Sequence, residues 1–125
     1  MQDHNTFVAE LTSWLQEVIT TDKPSQPMAA FRFGLTESEE GYVFYLAGSL
    51  VYDEADDEWA AELPVFIAEK ELLISSEEES EWYWQLLEVI YCLGRVLRTK
   101  QVQQSYLSNT PVYTGFVDGD LFRII

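Results

Sequence analysis

Seven apolar residues recur at helical spacing near the start of the chain: Phe7, Val8, Leu11, Trp14, Leu15, Val18 and Ile19. Glu10, Gln16 and Glu17 fall off that stripe, so one face of the helix is apolar and must be covered by a sheet or a partner. The stretch "TTDKP", with two threonines and then Pro24, ends the pattern. A second stripe runs through "SSEEESEWYWQLLEVIYCLGRVLRTK": Trp82, Leu86, Val89, Ile90, Leu93, Val96 and Leu97. Ser75 or Ser76 is expected to cap this helix, with Glu78 or Glu79 completing a capping box. Acids crowd its start and Arg95, Arg98 and Lys100 its end, as the helix dipole favours. Gly94 inside the stripe costs roughly 1 kcal/mol relative to Ala, and a close backbone contact is expected to require it.

Between the two helices the period changes to two. Phe31, Phe33 and Leu35 alternate with Arg32 and Gly34, and Tyr42, Phe44 and Leu46 with Val43 and Tyr45. The polar link "TESEEG" suits a hairpin loop, and the second strand, apolar on both faces, belongs in the middle of a sheet. "LPVFIAEKELLI" reads as one more strand or two short ones, with Pro64 tolerable at a strand start. "QVQQSYLSNTP" is expected to add a short helical turn. The final stretch "VYTGFVDGDLFRII" reads as a hairpin turning at Asp118-Gly119. The order helix, strands, long helix, hairpin predicts a single α+β domain over residues 1–125. It consists of an antiparallel sheet of about four to six strands, with both helices packed on one face.

Charge narrows the function. Seven Lys and Arg stand against 22 Asp and Glu, a formal net charge of −15. Such a field repels nucleic acid and anionic membrane surfaces, and draws basic partners at long range. Nucleic-acid binding is therefore not expected, because it rests on cations neutralising phosphates. With 47% hydrophobic residues the chain can build a core, so the acidity is not that of a disordered tail. One cysteine, Cys92, allows no intrachain disulfide. The first ten residues lack the pattern of a signal peptide, and no apolar run reaches the length of a membrane span. These features lead to the expectation of a soluble cytoplasmic protein.

The residues for most site chemistry are missing. His4 is the one histidine, near the terminus, and Cys92 lies within a helix as a small apolar filler. One His and one Cys do not supply the usual four zinc ligands. There is no phosphate-cradling glycine loop or dinucleotide fingerprint. "DEADDE" lacks the alternating ligands and central glycine of a calcium loop, and nothing selects a catalytic carboxylate pair from 22 acids. The chain is read as a non-enzyme without a cofactor.

What remains is acidity as a surface. Acids gather in three runs: Glu37, Glu39 and Glu40; the stretch 53–62; and Glu77, Glu78, Glu79 and Glu81. In the middle run, "YDEADDEWAAE", the candidate partner-binding residues are Tyr52, Asp53, Glu54, Asp56, Asp57, Glu58, Trp59 and Glu62. The two aromatics are types that anchor interfaces when ringed by polar groups. The competing reading is a solvated loop.

The stretches "GYVFYLAGSLVYDEADDEWA" and "VYTGFVDGDLFRI", set in a small acidic α+β chain, resemble bacterial immunity-type proteins, which neutralise polymorphic or contact-dependent toxins. The resemblance implies a cytoplasmic inhibitor of a cognate toxin domain, often a basic nuclease, and transfers no individual residue role. An alternative is an acidic, dimeric secretion chaperone of the type III class. Another is a carboxylate protein that uses a divalent metal. Monomer and homodimer both remain open.

Overall fold

A computed structural model describes residues 4–39, 41–55, 59, 64–75, 82–108, 110–116 and 121–124. Helix α1 spans His4–Thr21 and ends where the sequence pattern breaks. Strands β1 (Ala30–Ser38) and β2 (Gly41–Ser49) form a long antiparallel hairpin, paired from Ala30↔Ser49 to Ser38↔Gly41. Thr36 and Glu37, expected in the loop, are instead within the ladder. Backbone pairing tolerates polar side chains at an exposed hairpin tip, and Gly41, at φ 145°, supplies the conformation that closes it.

The stretch after Pro64 gives two short strands, β3 (Phe66–Ile67) and β4 (Leu72–Ser75), both antiparallel to the same edge of β2. Strand β2 is therefore central, as its two-sided apolarity predicts. Helix α2 spans Trp82–Leu97 and a short α3 spans Lys100–Gln103. Ser75, one of the two expected caps, is the last residue of β4, opposite Gly41. The proposed capping residues Ser76, Glu78 and Glu79, with Glu77 and Glu81, lie outside the described residues. Of the basic residues expected at the helix end, Arg95 lies in the last turn of α2, whereas Lys100 opens α3.

Strands β5 (Val112–Phe116) and β6 (Phe122–Arg123) pair antiparallel, as the terminal hairpin predicts. The turn at Asp118-Gly119 lies outside the described residues. The α+β class stands, with one pairing different from the expected all-antiparallel sheet: β5 lies parallel to β1, in register from Phe31↔Val112 to Leu35↔Phe116. A parallel neighbour needs a crossover connection, and α2 with α3 provides it. The sheet order is β3-β2-β1-β5-β6, with β4 also on β2.

One face of this mixed sheet carries the core. Phe7, Leu11, Leu15 and Val18 of α1, and Val89, Leu93 and Leu97 of α2, are buried against Phe31, Phe33, Phe44 and Leu46. Trp14 packs on the rings of Phe33 and Phe44, with centroids at 6.0 and 5.4 Å. Its indole N–H donates to the Lys70 carbonyl at 3.0 Å, tying α1 to the β3–β4 link. Thr114, buried among apolar groups, satisfies its hydroxyl by donating to the Phe33 carbonyl at 2.8 Å.

Two glycines differ in what holds them. At Gly34 a Cβ would run into the Tyr45 ring, which lies over it on the face away from the helices. At Gly94 a Cβ would meet nothing within 4 Å, so the close contact expected there is absent. Gly94→Ala should therefore raise stability by about 1 kcal/mol. Gly34→Ala should lower it by about 1 to 2 kcal/mol as the ring is displaced. Urea midpoints of the two variants check both signs.

Candidate docking surface

The acidic segment leaves β2 at Ser49, and its described aromatics, Tyr52 and Trp59, lie on the sheet face opposite the helices. Ser49 begins it, its hydroxyl donating to the Val51 carbonyl at 2.9 Å and accepting from the Val51 N–H at 3.2 Å. Asp53 Oδ1 accepts from the Ala55 N–H at 2.9 Å, a local side-chain turn. Tyr52, half-buried, places its hydroxyl 2.9 Å from that of Tyr113. Trp59 sits edge-on between the two phenols, its ring 5.4 Å from each.

That arrangement changes the role of Trp59. Its indole is only 4% exposed, packed with Ala30 and Tyr113 on the outer face of the sheet. In this conformation it fastens the acidic segment to its own fold and is not an open anchor for a partner. Its N–H has no hydrogen-bond partner among the described residues. Such a group carries a desolvation cost, on the order of 1–3 kcal/mol, which the aromatic packing must exceed.

The acids of the segment divide. Asp53 and Glu54 are exposed. Glu54 meets Arg123 of β6 at 3.2 Å, with both side chains well solvated, so the pair adds little stability. Asp56, Asp57, Glu58 and Glu62 lie outside the described residues. The sequence reading missed Tyr113 and Arg123 as companions of the segment. Tyr113 had a signal: it alternates with Val112 and Thr114, which face the core, and so points to the other face.

Other chemistry-bearing groups are quiet. Cys92 is fully buried in the α2 stripe, and burial, with Glu88 adding and Arg95 opposing, pushes its thiol up to about 11. A thiol held neutral is a poor nucleophile. Among the described residues no group of three His, Cys, Asp or Glu side chains is placed to hold a metal ion. No described helix is long and apolar enough to cross a membrane. Comparison with protein-family models, curated proteins and solved structures returns no match.

Burial first, and then the Tyr52 hydroxyl, push the Tyr113 phenol from 10.0 up to about 12. A phenol whose folded pKa is raised contributes stability that is complete below the unfolded value and lost as pH rises through the folded one. Tyr113→Phe should therefore flatten the loss of stability between pH 10.0 and about 12. Cys92 titrates over a neighbouring range, so the difference between wild-type and variant urea midpoints across that window is the measurement.

Proposed function

We propose that this chain is a non-enzymatic acidic binding protein of the immunity type, which inhibits a basic toxin domain by direct contact. The observation that carries the reading is the uncompensated charge of −15 on a chain with an ordinary apolar core. Among the described residues the core is built from apolar and aromatic side chains and holds no carboxylate. Self-repulsion of this size costs stability, and a basic partner relieves it. The described part of the acidic segment also supports the reading, because Tyr52 and Trp59 pin it to the sheet. A pinned acidic segment loses less entropy on binding than a free loop.

A basic nuclease domain suits this surface, since carboxylates replace the phosphates that its own cations would contact. Steering by opposite charge speeds capture and weakens as salt rises. A toxin encoded beside this chain is the natural test partner, scored first by whether co-expression rescues growth. Reversing Asp56 and Asp57 together to Lys should slow association with that domain about tenfold at low salt and flatten its salt dependence. Association at the wild-type rate would remove this segment as the steering site.

One observation favours a second reading, the dimeric secretion chaperone. Leu87 and Tyr91, one turn apart on α2, are 54% and 58% exposed, as a helix-mediated dimer would require. Sedimentation equilibrium separates the two: a monomer favours the immunity reading, and a dimer broken by Leu87→Glu favours the chaperone.

A further inference from the structure

The outer face of the sheet is only partly covered. The segment with Tyr52 and Trp59 closes the end near Ala30 and Tyr113. Beyond it, strand alternation brings Val43 and Tyr45 of β2 to the same face as Ile67 of β3 and Leu73 of β4. Their neighbours Tyr42, Phe44, Leu46, Ala68 and Ile74 point into the core. Ile67 is 58% exposed and Leu73 46%, while Val43 and Tyr45 are half-buried. Sheets with one wet face usually turn polar residues to water, so apolar side chains on neighbouring strands of that face mark an interaction surface.

Its surroundings select the occupant. Exposed Glu39 stands at the hairpin tip beyond Val43, and exposed Glu69 and Glu71 flank the β3–β4 link. Lys70, between those two, pairs instead with Glu17 of α1 at 2.6 Å. Asp53 and Glu54 lie toward the covered end. Arg32 is half-buried on the face and opposite Ala47 and Tyr113, and its side chain has no ion pair or hydrogen bond among the described residues. An apolar centre with carboxylates around it fits a partner that is apolar in the middle and cationic outside. The donors of Arg32 fit the carbonyls of an extended backbone.

We propose that this outer sheet face, centred on Val43, Tyr45, Ile67 and Leu73, docks an extended basic segment of a protein partner, apolar on one side and rich in Lys or Arg on the other. The proposal rests on the acidic-binder reading and adds where, and in what form, the partner is held.

The probes are a short synthetic peptide of alternating Val and Lys, and an oligolysine of equal charge. Each is titrated at low salt into isotopically labelled protein and followed by amide chemical shifts. The alternating peptide should perturb Val43, Tyr45, Ile67 and Leu73 and bind about tenfold more tightly than oligolysine, as burial of a few exposed apolar groups implies. Ile67→Ser with Leu73→Ser, exposed substitutions that leave the charge unchanged, should bring the two affinities together. Equal affinities in the wild type, or shifts confined to the acidic segment or to Leu87 and Tyr91 on α2, would overturn this docking face and leave the acidic-binder reading standing. If neither peptide binds, the acidic-binder reading falls with it.

Discussion

Trp14 packed on Phe33 and Phe44 is the contact on which the rest of the structure depends. It joins α1 to the two central strands, and through its N–H it holds the link that places β3 and β4 on the far edge of β2. Phe33 and Phe44 in turn stack on each other at 5.4 Å across the β1–β2 ladder. With α1 and α2 covering this side, Tyr52 and Trp59 of the segment after β2 pack on the opposite side of the sheet. These described residues of the acidic segment therefore sit on a surface that the helices leave open.

The two faces of the sheet therefore differ in what they carry. The face toward the helices is aromatic and aliphatic, and its core cluster holds no carboxylate among the described residues. The opposite face holds a small aromatic cluster, apolar groups left in water, and acids around them. The two ion pairs between described residues, Lys70 with Glu17 and Arg123 with Glu54, are solvated and do little to offset the charge.

Both helices were legible in the sequence because a 3.6-residue stripe survives any tertiary context. Of the second stripe Leu86, Val89, Leu93, Val96 and Leu97 are buried as it predicts. The β1–β2 hairpin was legible for the same reason at period two. The parallel seat of β5 was not, because periodicity reports which side of a strand is buried and not which edge it joins. The burial of Trp59 was not legible for a related reason. A single aromatic in an acidic run has no period, and the groups that bury it, Ala30 and Tyr113, are remote in sequence. Gly94 shows the limit of composition alone: a glycine in a helix need not mark a contact, and here open space surrounds the position.

The central claim is that the negative charge is left uncompensated within the fold and is held for a basic partner. It is tested most directly by urea unfolding of the free protein across a range of sodium chloride concentrations. Screening shortens the reach of charge repulsion, to about 3 Å at 1 M salt. The account predicts that the midpoint rises steadily as salt is added. A midpoint that stayed level or fell would mean that attractive pairs already balance the acids, leaving no repulsion for a basic partner to relieve.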